Sequence, residues 1–155
     1  AVDRAGNVQD WPAGGQVTTL PVSCTAGSGE PANDQRAGAI FLPYETGLEQ
    51  KLCPAADRDW MRFNAQADKP YLFFGTSQAG GAALKMGIYD SAGNLLSERS
   101  AADLGQSLTF IWTAPASGTY YLLAAPLQDG LFGDDVRYRI WYGEPRQLFL
   151  PMINR

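Results

Sequence analysis

Over residues 107–125 the chain reads S-L-T-F-I-W-T-A-P-A-S-G-T-Y-Y-L-L-A-A, an alternation of period two that breaks once and resumes. Leu108, Phe110 and Trp112 fall on one side of the first half and Thr109 and Ile111 on the other. Beyond the break, Tyr120, Leu122 and Ala124 oppose Tyr121 and Leu123. A half-buried strand requires this period, because successive side chains point to opposite faces. Between the halves, Pro115 gives up a ladder donor and Gly118 tolerates a positive φ, so the chain has to change direction. A break of this length suits a crossing between two sheets as well as a hairpin.

The same pattern recurs along the chain. Met61 and Phe63 oppose Trp60 and Arg62; Leu84, Met86 and Ile88 oppose Lys85, Gly87 and Tyr89; Tyr138, Ile140 and Tyr142 oppose Arg137, Arg139 and Trp141. Residues 71–75 are continuously apolar and 76–83 read as a loose connection. Residues 39–42 and 47–52 are short strands, and a hairpin-type turn falls at 90–94, with Gly93 in the left-handed conformation. Segments 36–41 and 97–104 are too short and interrupted for a dependable helix. About eight to ten short strands result, which predicts an all-β fold, a jelly-roll-like antiparallel sandwich. Residues 1–23 read as a tail or linker with an edge strand at 16–22, and 24–155 as one sandwich domain closed by an apolar run at 147–153.

Composition narrows the partners. A formal charge of -4, from Lys+Arg 12 against Asp+Glu 16, argues against nucleic acid and anionic membranes, which need a dense basic surface. No apolar run approaches the length of a membrane span. The chain contains no His, which removes Ser-His and Cys-His nucleophile systems. Asp57 and Asp59 are the carboxylates available for glycosidase-type chemistry, but no loop is long enough to wall a deep cleft, so the chain reads as a non-enzyme. Cys24 and Cys53 are the only cysteines: one disulfide, closing a loop of roughly 30 residues, or two buried thiols. A disulfide implies an oxidising, extracytoplasmic setting.

Four motifs stand in order: Glu30-Pro31-Ala32-Asn33-Asp34; Asp57-Arg58-Asp59-Trp60-Met61-Arg62-Phe63; Ile88-Tyr89-Asp90-Ser91-Ala92-Gly93-Asn94-Leu95-Leu96; and Thr113-Ala114-Pro115-Ala116-Ser117-Gly118-Thr119-Tyr120-Tyr121. Over residues 30–142 the string resembles the bacterial pre-peptidase C-terminal domain, secreted sandwich modules appended to extracellular peptidases and related to the collagen-binding domains of collagenases. Ala32 is an insertion relative to the family's pattern. The resemblance implies no catalysis, a calcium-braced N-terminal segment and a substrate-binding sheet face.

Glu30, Asn33, Asp34, Asp57 and Asp59 carry the oxygen ligands that a hard cation such as Ca²⁺ collects, if the two loops meet; otherwise they are turn and strand-entry residues. Among outward positions, Trp60, Arg62, Tyr89, Tyr121, Arg139 and Trp141 supply the planar rings and donors that an extended polymer, peptide or sugar, needs. The expectation is a secreted or cell-surface accessory domain that binds an extracellular protein or polysaccharide. A carbohydrate-binding module and a self-associating adhesion domain are the alternatives.

Overall fold

The computed structural model describes residues 24–25 and 32–145. The edge strand expected at 16–22 and the closing run at 147–153 lie outside the described residues. Nine strands are present among those described: β1 (Ile40–Phe41), β2 (Leu48–Lys51), β3 (Asp59–Ala65), β4 (Pro70–Ala79), β5 (Leu84–Tyr89), β6 (Leu95–Ser100), β7 (Leu108–Thr113), β8 (Gly118–Pro126) and β9 (Arg137–Gly143). Among the described residues, helical geometry is confined to two single 3-10 turns, Ala32–Asp34 and Arg36–Gly38.

The strands form a sandwich of two sheets. The first has five strands in the order β1-β3-β8-β5-β6, the second four in the order β2-β9-β4-β7. All pairs are antiparallel except β1 with β3, where Ile40 lies beside Met61 and Phe41 beside Arg62. The chain changes sheets at almost every connection, and only β5 and β6 form a hairpin within one sheet. The break at 114–117 is such a crossing, from β7 in the second sheet to β8 in the first. Gly118 opens β8 opposite Ala65 and does not have the positive φ expected of it; the proline and the change of sheet suffice to turn the chain. Gly93 does, at φ 94°.

Residues 76–79, read as loose, continue β4. They pair with β9 as far as Ala79 and Arg137, across a register shift after Ser77. Polar residues there leave no hydrophobic period to read, and the partner strand decides the conformation.

Every side chain assigned inward by the alternation is buried, from Met61 and Phe63 to Tyr138, Ile140 and Tyr142. Phe63 on β3 sits at the centre. Its ring lies 5.1 Å from Phe73 on β4, 6.0 Å from Trp112 on β7, 6.0 Å from Tyr120 on β8 and 5.1 Å from Tyr142 on β9. One side chain of the first sheet thus touches three strands of the second. Large aromatic truncations in such a setting cost about 3 to 5 kcal/mol. Phe63→Ala should lower the unfolding free energy by that amount in urea titration, whereas Ile111→Ser, at a site 59% exposed, should change it by less than about 0.5 kcal/mol.

Candidate binding face and buried oxygen cluster

The side chains of β3, β8 and β5 that point away from the core share one surface. Register places Arg62 beside Tyr121 and Tyr121 beside Tyr89, while Trp60 lies beside Leu123 and Leu123 beside Gly87. Trp60 reaches diagonally to Tyr89, with ring centroids 4.9 Å apart and planes at 55°. Gly87 makes this possible: a Cβ there would lie 2.9 Å from the Tyr89 ring and 3.3 Å from Leu95. Arg36, from the second 3-10 turn, lies over the Tyr121 ring at 5.4 Å, a cation-π arrangement. Its guanidinium also packs on the turn at Gly93 and donates to the Asp90 carbonyl at 3.4 Å.

A trough of about 320 Å³ runs beside the rings, with Gly87, Leu123 and Ala125 in its lining and Arg58, Lys85 and Glu98 at its borders. Lys85 and Glu98 pair across β5 and β6 at 3.1 Å. Small residues in the lining, rings beside it and charges of both signs suit an extended ligand lying across the strands.

Four of the six outward residues expected to bind are therefore together: Trp60, Arg62, Tyr89 and Tyr121. Arg139 and Trp141 are on β9, on the outer face of the other sheet. Arg139 is tied to β2, donating to the Thr46 carbonyl at 2.8 Å and pairing with Glu49 at 3.5 Å. Trp141 lies against Gly143, whose position has no room for a Cβ. Alternation assigns a side chain to the outside of its sheet but does not say which sheet, and this divides the set. Arg36, Gly87 and Leu123 were missed; the one available signal was a glycine interrupting an otherwise regular strand at position 87. The apolar run 71–75 likewise has an outer side: Leu72 stands beside Ile111, and Phe74 beside both Thr109 and Trp141.

The first acidic loop does meet the second. The Cys24–Cys53 disulfide is formed, with Cα atoms 5.6 Å apart. Asn33 and Asp59 are both fully buried, and the Asn33 amide donates to one Asp59 oxygen while the Tyr138 hydroxyl donates to the other. Asn33 Oδ1 and Asp34 Oδ1 are buried with no hydrogen-bond partner. Asp57 behaves differently: its carboxylate accepts the N–H groups of Cys53 and Arg58, both at 2.7 Å, and so closes the turn before β3. Glu30 lies outside the described residues. Among those described, no group of three or more His, Cys, Asp or Glu side chains gathers as a metal site.

No family model and no curated protein matches the chain. Solved structures do. The pre-peptidase C-terminal domain of collagenase from Bacillus anthracis is similar with a TM-score of 0.51 at 17% identity, over 67% of this chain and 93% of that one. CorA, a surface-associated copper-binding protein of Methylomicrobium album BG8, aligns at 0.48 and 10% identity, over 69% and 98%. VesC, a secreted serine protease of Vibrio cholerae, aligns at 0.42 and 10% identity, over 61% and 20%. The first likeness is one of fold: the sandwich has the architecture of a pre-peptidase C-terminal domain, as its motifs imply.

The hairpin carrying Tyr89 is held by Asp90. Its carboxylate accepts the Asn94 side-chain amide at 2.7 Å and the Asn94 N–H at 2.8 Å, and these bonds, the side-chain one first, hold its carboxyl below the ordinary aspartate range. A depressed folded-state pKa gives stability that is present above the unfolded value and is lost as pH falls through the folded one. NMR titration should place the Asp90 midpoint below that of an ordinary exposed aspartate, and Asp90→Ala should abolish that titration while speeding amide exchange at Asn94.

Proposed function

We propose that this chain is a non-catalytic module of an extracellular protein, binding an extended polypeptide across the outer face of the five-stranded sheet. The observation that supports it is the convergence of Trp60, Tyr89, Tyr121, Arg62 and Arg36 on one surface beside the trough. Trp60 and Tyr89 meet at 55°, a corner into which side chains fit, whereas a sugar ring stacks best on a flat platform. The disulfide is consistent with an oxidising compartment, and the absence of His leaves the chain without the commonest acid–base and nucleophile-activating residue. No helix among the described residues is long and apolar enough to cross a membrane.

The test is retention of the protein on insoluble gelatin and collagen against cellulose and chitin. The reading expects protein polymers to retain it, and Trp60→Ala with Tyr89→Ala to weaken retention about tenfold, the effect of losing roughly 1.4 kcal/mol of contact. Retention on the glycans alone would replace it with the carbohydrate reading, and undiminished binding by the double variant would remove this face from the account.

We further propose that Asn33, Asp34 and Asp59 hold Ca²⁺. Unpaired buried oxygens are costly, and Asn33 Oδ1 and Asp34 Oδ1 are two of them beside the first loop's contact with the Asp59 carboxylate. All three are hard oxygen donors, as calcium requires, and water, backbone carbonyls and Glu30 are the candidates for the remaining positions. Bound metal would join the N-terminal loop to the start of β3. A cation at a hundred times its Kd adds about 2.7 kcal/mol, which in a chain of this size raises the unfolding midpoint by roughly 5 to 10 °C. That shift should appear with calcium, vanish with chelator and be absent in Asp59→Asn. Equal midpoints with and without calcium would leave these residues as a hydrogen-bonded polar cluster.

A further inference from the structure

The rings on the outer face of the five-stranded sheet belong to a longer row. Register places Phe41 of β1 beside Arg62 of β3, Arg62 beside Tyr121 of β8, Tyr121 beside Tyr89 of β5 and Tyr89 beside Leu95 of β6. The row therefore crosses the whole sheet, about 19 Å at about 4.8 Å per strand. Its two ends, Phe41 and Leu95, stand 51% and 50% exposed. Leu95 keeps to the side of Tyr89, its Cδ1 3.3 Å from where a Cβ on Gly87 would lie.

Two guanidinium groups occupy the middle. Arg62 is exposed beside Tyr121, and Arg36 lies over the Tyr121 ring. The segment that carries Arg36 is closely held. The Gly38 N–H donates to the Gln35 carbonyl at 2.9 Å and the Ala39 N–H to the Arg36 carbonyl at 3.2 Å, and a Cβ on Gly38 would lie 1.9 Å from the Ala32 carbonyl oxygen. At its far end the guanidinium fills the space beside Gly93, 2.5 Å from the Cβ position there. The carboxylate of that turn, on Asp90, is taken by Asn94, and Arg36 receives only the Asp90 carbonyl. Among the described residues no carboxylate pairs with Arg36 or Arg62. The neighbouring trough differs: Lys85 is answered by Glu98, and Arg58 shares the lining with Asp57 and Asp129.

We propose that Arg36 and Arg62 form a carboxylate site at Tyr121, so that the extended polypeptide bound on this face carries Asp or Glu there and an apolar side chain two residues before and two after. The inference rests on the peptide reading above and adds the charge and the spacing of its ligand. A guanidinium held in place meets a carboxylate through paired, charge-assisted hydrogen bonds. Residues two apart on an extended chain point the same way and lie about 6.6 Å apart. A carboxylate midway between Arg62 and Tyr121 then sets one apolar neighbour at Phe41 and the other at Tyr89, with Leu95 next beyond. A net charge of -4 opposes an acidic partner over the rest of the surface, so the two cations fix where it lands.

The probe is the heptapeptide Gly-Leu-Ser-Glu-Ser-Leu-Gly, capped at both ends, compared with versions carrying Gln or Lys in place of Glu, each titrated into the full chain under ¹⁵N NMR. The expected result is saturable shifts at Arg62, Tyr89 and Tyr121, with the Gln peptide about tenfold weaker and the Lys peptide weaker still. Arg36→Met and Arg62→Met should each narrow the preference for Glu over Gln to less than about threefold, and Arg62→Glu should make the Lys peptide the tighter ligand; Ile111→Ser, on the other sheet, should leave the order as it is. Equal binding of the Glu and Gln peptides on this face overturns the carboxylate site and leaves the peptide reading standing. A preference that survives in both arginine variants, shifts confined to other surfaces, or binding only after residues 1–23 or 146–155 are removed overturns it as well. If no peptide binds, the site is overturned, and retention on gelatin through Trp60 and Tyr89 decides separately whether the peptide reading survives.

Discussion

The sandwich depends on one ring being held between its two layers. Phe63 belongs to the first sheet, yet three of its four aromatic neighbours belong to the second. These are joined in turn by Phe73 stacked on Phe110 at 5.4 Å and on Tyr142 at 5.7 Å. Edge-to-face and offset pairs of this kind each add about 0.5 to 1.5 kcal/mol beyond the area they bury. Because the cluster joins the sheets from inside, the outer faces are relieved of that task and are available for rings and charges.

The two ends of β3 show how the same strand serves different purposes. At its start Asp59 accepts from Tyr138 of the second sheet and from Asn33 of the first loop, a polar contact between layers where the aromatic cluster has ended. At its finish the pairing with β1 ends at Leu42, and beyond it the Tyr142 hydroxyl donates to the Asn64 carbonyl while the Tyr71 hydroxyl accepts from the Gln66 N–H. Native proteins shorten, bend or charge such edges to prevent unwanted pairing; here Lys69 and Glu144 supply the charge. Between these ends, Trp60 and Arg62 face outward onto the surface shared with Tyr89 and Tyr121.

Much of this was legible in the chain. Alternation identified the inward side chains of β3, β5, β7, β8 and β9, because an antiparallel strand with one wet face records that face in its sequence. The turn at Gly93 and the change of direction at Pro115 could be read as well, but the choice there between hairpin and crossing could not, and the meeting of the two acidic loops stood only as a condition. What could not be read depends on partners distant in sequence. The extension of β4 over 76–79 follows from β9, and the separation of Trp141 from Trp60 follows from the order of strands within sheets. Arg36 on Tyr121 depends on where a short 3-10 turn is carried in space. The parallel pairing of β1 is set by two residues that carry no period at all.

Hydrogen exchange measured amide by amide tests the central claim most directly, since it ranks segments by their free energy of opening. If the ring cluster around Phe63 joins the layers, amides of β3, β4, β8 and β9 that face a paired neighbour will exchange slowest and together, at the rate of global unfolding, while those of β6 at the sheet edge exchange far earlier. Exchange of β3 and β8 in one cooperative step, with β4 and β9 in another of clearly different free energy, would mean that each sheet holds itself and that the ring cluster does not join them.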